Sequence, residues 1–138
     1  MAAKDKFHLA ARHALEKDGW TITHDPFRVK FGDKKIEIDL GAEKLIAAER
    51  GTDRIVVEVK SFLSKSIMYE LHEAVGQFVN YRIVLGMKNE DRELFIALPE
   101  DIFDQFFGDE FGQTLLRELS MKLIVYKPDT KVIVKWIK

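Results

Sequence analysis

Arg54-Ile55-Val56-Val57-Glu58-Val59-Lys60, read together with Lys35-Ile36-Glu37-Ile38-Asp39-Leu40, is the stretch whose reading decides the fold. In the earlier segment Ile36, Ile38 and Leu40 alternate with charged residues, the period of a strand with one apolar face. In the later one Val56, Val57 and Val59 place apolar groups on both faces, as in a buried strand. Glu58 and Lys60 then project from the same side, about 7 Å apart along the strand. A carboxylate and an ammonium on such a strand are costly unless something uses them. Asp39 and Glu58 supply the hard oxygen ligands that Mg²⁺ takes. A divalent cation beside a lysine is a device for hydrolysing phosphodiesters, because both stabilise charge on the phosphate and the attacking water.

Working outward, residues 3–18 read as a helix, with Phe7, Ala10, Ala11, Ala14 and Leu15 as its apolar stripe and Gly19 as its stop. Trp20 to Phe31 contains Pro26 and reads as an edge strand or two short pieces. Gly32-Asp33-Lys34 is a hairpin turn into the Asp39 strand. Leu45 to Glu49 fits a short strand or a helical turn. The turn Arg50-Gly51-Thr52-Asp53 favours a second hairpin. A long helix follows over roughly 65–82, with Ile67, Leu71, Ala74, Val75, Phe78 and Arg82 on its inner face. Ile83-Val84-Leu85 extends it or begins a loop. Glu93 to Leu98 is a central buried strand. Helices are expected over roughly 99–107, from Pro99 to Gly108, and over 111–119. Lys122 to Tyr126 and Val132 to Ile137 flank Lys127-Pro128-Asp129-Thr130 as a terminal hairpin. The sum is an α/β or α+β layer fold, a central mixed sheet flanked by helices.

The 138 residues suggest one domain spanning 1–138. Hydrophobic residues make up 46% and charged residues 33%, a soluble globular balance. Cysteine is absent, which excludes disulfides and thiolate zinc sites and fits a reducing cytoplasm. No apolar run approaches the roughly 20 residues that span a bilayer, and Met1 to Lys6 lacks the apolar core of a signal peptide. The net charge of −1 argues against bulk electrostatic binding of nucleic acid but leaves room for a local basic face.

An N-terminal helix with a carboxylate, a strand ending in Asp39, a strand with Glu58-Val59-Lys60 and a helix carrying Gln77 and Tyr81 follow one another in this order. The order resembles the restriction-endonuclease-like, PD-(D/E)xK nuclease superfamily. Within it the whole chain looks like the XisH family, the cyanobacterial excision controlling factors. Leu15-Glu16-Lys17-Asp18-Gly19-Trp20, Ile38-Asp39-Leu40-Gly41-Ala42-Glu43 and Val57-Glu58-Val59-Lys60-Ser61-Phe62 carry that closer likeness. The resemblance implies Asp39 and Glu58 as ligands of Mg²⁺ or Mn²⁺, joined by the Val59 carbonyl. It implies Lys60 as the group that activates the water and stabilises the transition state, and Glu16 as an orienting carboxylate. Gln77 and Tyr81, one turn apart, would contact a phosphate or Lys60. Ile38 stands where the namesake proline would be. The family implies DNA as substrate, and as partners a site-specific recombinase and a small XisI-like protein. Two readings follow: a metal-dependent endonuclease, for which a homodimer would bring two sites to two strands, or a non-catalytic accessory factor that controls a recombinase.

Each residue also has a plainer reading. Glu16 fits a solvated helix face, Asp39 a cap at the Gly41 turn, Glu58 and Lys60 a surface pair, and Gln77 with Tyr81 an ordinary helix surface. His8, His13, His24 and His72 lack the spacing of metal ligands. Phe103, Phe106, Phe107 and Phe111 lie among acidic residues and read as core or protein interface rather than a base-stacking platform. Lys127, Lys131, Lys135 and Lys138 protect a hairpin edge or touch phosphate.

Overall fold

A computed structural model of the chain describes residues 3–47, 51–63 and 66–138. Helix α1 (Ala3–Lys17) leads into strands β1 (Thr21–His24), β2 (Phe27–Phe31), β3 (Lys34–Ile38), β4 (Leu40–Ala47) and β5 (Gly51–Val59). Helix α2 (Ile67–Met87), strand β6 (Glu93–Pro99), helices α3 (Glu100–Phe107) and α4 (Glu110–Leu119) and strands β7 (Leu123–Lys127) and β8 (Val132–Ile137) complete it. No helix among the described residues is long and apolar enough to cross a membrane.

The main sheet has six strands in the order β1-β4-β5-β6-β7-β8, and β2 with β3 forms a separate two-stranded sheet. β5, β6 and β7 run parallel at the centre, while β1, β4 and β8 pair antiparallel. The sequence explains this. β5 and β6 are apolar on both faces, so both can be covered by helices, and the crossovers through α2 and through α3–α4 make parallel pairing natural. Successive residues of β5 divide between two cores. Val56 packs with Leu71, Phe78 and Phe103 beneath α2 and α3, and Val57 packs with Ala14, Leu15 and Trp20 beneath α1. Ala10, Ala11 and Ala14 keep the buried face of α1 thin, which lets it lie close on the sheet.

The terminal hairpin, the α1 stripe and the central Glu93–Leu98 strand stand as the sequence reads. The Trp20–Phe31 region is two short strands separated at Asp25-Pro26. The second hairpin pairs β4 with β5. Its tip, residues 48–50, lies outside the described residues, as does Lys65, the expected start of the long helix. Three boundaries and one residue's placement differ. Lys35 to Leu40 is not one strand: β3 ends at Ile38, β4 begins at Leu40 in the other sheet, and Asp39 is the bend between them. Lys60 follows the last residue of β5 rather than belonging to it, although its N–H still donates to the Ala97 carbonyl at 2.9 Å. α2 continues through Ile83-Val84-Leu85 to Met87, because Val84 and Leu85 bury against the core. Arg82 is not an inner-face residue. It is exposed, its guanidinium 5.0 Å from the Phe78 ring and donating to the Leu119 carbonyl.

Candidate functional site

β5 and α2 together build one polar cluster in the larger core. Glu58 is buried although it is an acid, at 7% exposure. Its carboxylate Oε1 accepts from the Asp39 backbone N–H at 3.3 Å. Asp39 reciprocates, with Oδ2 accepting from the Val59 N–H at 2.7 Å. The cause is the bend at Asp39. The β4–β5 ladder ends at the Leu40–Val57 pair, so the next donor on β5, Val59 N–H, has no backbone partner on β4. The Asp39 side chain fills that place. A strand residue turns its N–H and C=O to the same edge, so the Val59 carbonyl faces the Asp39 side as well.

Burial raises the Glu58 carboxyl, and the neighbouring Asp39 charge raises it further, to about 8 from an ordinary 4.5. Lys60 pulls the other way but does not prevail. The ammonium is engaged elsewhere: Nζ donates to Glu73 Oε1 at 2.6 Å and to Gln77 Oε1 at 2.8 Å. The Gln77 amide in turn donates to the Tyr81 hydroxyl at 3.3 Å. Burial raises the Tyr81 phenol too, followed by the Glu58 charge. Glu58, Lys60, Gln77 and Tyr81 therefore form one electrostatic unit with Asp39.

The structure brings together Asp39, Glu58, Val59, Lys60, Gln77 and Tyr81. It does not tie Glu16 to them. Glu16 lies on the exposed side of α1, whose buried side packs on the opposite face of the sheet, and its carboxylate is 3.4 Å from His13 Nδ1. Glu73 is the member that the sequence reading missed. Its signal was present, since Glu73, Gln77 and Tyr81 recur every fourth residue and so share one helix face. The histidines are peripheral: His8 Nε2 lies 2.8 Å from Asp25 Oδ1, and the His24 ring packs edge-on against Phe27. Phe103 and Phe107 are core, Phe106 stacks on Phe62, and Phe111 is exposed.

No group of three or more His, Cys, Asp or Glu side chains among the described residues makes a metal cage. A pair of carboxylates is nevertheless the donor set that suits Mg²⁺, which commonly binds through one or two carboxylates and keeps several waters. The charge balance fits the same cation. Burial first, and the Asp39 charge second, keep the Glu58 proton in place despite Lys60, so a further positive charge between the two carboxyls would be accommodated there.

The family model described as XisH protein matches residues 1–134. Two crystal structures superpose on the chain with a TM-score of 0.87 and 38% sequence identity, each over 97% of it. One is an XisH family protein from Nostoc punctiforme PCC 73102, matched over 100% of its length. The other is an fdxN element excision controlling factor protein from Anabaena variabilis, matched over 99%. No curated protein matches the chain.

Proposed function

Given that the chain belongs to the XisH family, we propose that it acts in site-specific excision of a DNA element as a divalent-metal-dependent phosphodiesterase of the PD-(D/E)xK kind. The observation that carries this reading is the buried Glu58 carboxylate cross-tied to Asp39, with the Lys60 ammonium positioned beside it by Gln77. Asp39, Glu58 and the Val59 carbonyl would hold Mg²⁺ or Mn²⁺. When bound, the ion supplies Lewis-acid stabilisation of the phosphate and a water of lowered pKa. The protein's own groups do the rest. Lys60 brings a fixed positive charge to a phosphate oxygen, and in a half-buried site that charge acts more strongly than in water. Gln77 and Glu73 limit the Lys60 rotamers, and Tyr81 fixes the Gln77 amide. DNA is the substrate in this reading, with a recombinase and an XisI-like protein as partners.

One observation favours the accessory-factor reading. Asp39 and Glu58 each accept a backbone N–H, so both have a structural role that requires no cation. Calorimetric titration of the purified chain with Mg²⁺ and Mn²⁺, beside a plasmid nicking assay, separates the two. The enzyme reading expects one site per chain and nicking lost in both Asp39→Asn and Lys60→Ala. DNA retardation that survives Asp39→Asn, with no heat of metal binding and no nicking, would establish the accessory role.

A further inference from the structure

We propose that the solvent face of α2 is the surface through which two copies of this chain pair, antiparallel, about a two-fold axis near Gln77 and Phe78. α2 buries Leu71, Ala74 and Phe78 toward the sheet. Its opposite side should be charged in a protein with 33% charged residues. Instead Met68, Tyr69, Ile83 and Met87 stand there 49%, 63%, 54% and 65% exposed. Gly76 and Val79 lie between them, and no Asp, Glu, Lys or Arg shares the face. A strip of this kind, apolar but for His72 at its middle, marks an assembly surface.

The occupant follows from the residue order. An antiparallel partner related by a two-fold at the helix midpoint sets Met68 level with Met87, Tyr69 with Gly86, His72 with Ile83 and Gly76 with Val79. Two of the four levels thus carry a glycine, which lets the two helices approach closely there, and the symmetry repeats each. Neither glycine is explained within one chain: a Cβ at Gly76 or Gly86 would meet nothing within 4 Å. Glycine inside a helix costs about 1 kcal/mol relative to alanine, so its presence needs a reason, and close approach of a second helix is one. A groove of about 410 Å³ opens beside Gly86, between Arg82, Leu85 and Lys122, level with the Met68–Tyr69 end of the opposing helix. A 21-residue helix presents a strip about 31 Å long and 10–12 Å wide. Doubled by symmetry the strip amounts to roughly 600–750 Å², so the two grooves have to supply the remainder of the ~1,000 Å² at which an interface holds in solution.

The test is sedimentation velocity on the full chain, in a concentration series up to about 100 µM. The expected species has twice the 16.0 kDa mass of one chain. Ile83→Glu should return it to the single-chain mass. Gly76→Leu should do the same while keeping a cooperative melt at or above that of the wild-type chain at concentrations where both are monomeric, since the monomer has room for the side chain and gains helix propensity. The chain has no cysteine, so Met68→Cys with Met87→Cys should cross-link into a covalent dimer on oxidation. A single-chain mass throughout the series, or a dimer that survives both Ile83→Glu and Gly76→Leu, overturns the proposal. Cross-linking by Met68→Cys alone would mark a parallel pair and overturn it equally.

Discussion

Glu58 concentrates the chemistry of the site in one proton. Its folded-state pKa of about 8 lies above the ordinary 4.5, so the native protein retains a proton that the unfolded chain releases. That contribution is complete below about pH 4.5 and is lost as pH rises through about 8. Without metal, the stability of the protein relative to a Glu58→Gln variant should therefore fall steadily from pH 5 to pH 8, as measured by urea melts. Parallel curves for the two proteins would show that Glu58 ionises at no cost. Mg²⁺ binding near pH 7 should expel this proton, because ligating carboxylates are ionised. The binding heat should then differ between two buffers of unequal ionisation enthalpy. Asp39 carries a different lesson. Asn at that position keeps an oxygen for the Val59 N–H, whereas Ala leaves a half-buried donor unpaired. Asp39→Ala should cost about 1–3 kcal/mol in chemical denaturation and Asp39→Asn distinctly less. Equal losses would mean that the hydrogen bond to Val59 is not what secures the bend.

Two glycines show how differently the helices use the same residue. A Cβ on Gly112, in the first turn of α4, would collide with the Phe106 carbonyl and the Phe107 Cα. Gly112→Ala should therefore destabilise by roughly 1–3 kcal/mol through overpacking. Gly76→Ala in α2 meets open space and should stabilise the monomer by up to about 1 kcal/mol. Thermal melts of the two variants should shift in opposite directions, and a shared direction would contradict the packing at one of them. Composition does not distinguish such glycines, since their difference lies in what another segment places beside them. The same reason governs what was legible among the elements. The strands and helices followed their apolar periods, but the alternation through Asp39 read as one strand, Lys35 to Leu40, where the chain bends between two. That alternation carries no mark of a change of sheet, because a bend between two strands keeps the same period through it. Glu16 matched a family pattern by position along the chain, yet its helix packs on the other side of the sheet, a fact set by tertiary contacts. Glu73 is legible by spacing, but its role depends on where Lys60 reaches.

The whole molecule joins these levels through α2. One flank of that helix carries Glu73, Gln77 and Tyr81, the core side carries Leu71 and Phe78, and the outer side is the uncharged strip. The site residues centre on Gln77, which is also the midpoint of Ile67–Met87. A two-fold axis there sets the two copies of the site level with each other on the same side of the helix pair. Their separation is roughly 20–30 Å, from helix spacings of 8–10 Å and the breadth of each flank. That span suits the two backbones of one duplex. With both proposals in force, the dimer should convert supercoiled plasmid to linear product with little nicked circle accumulating. Ile83→Glu, which separates the copies without touching the site, should release nicked circle first and linear product only slowly. Time courses on agarose at equal site concentration read the difference directly. Linear product forming as fast from the Ile83→Glu monomer as from the dimer would show that the pairing of sites through α2 has no part in cutting the second strand.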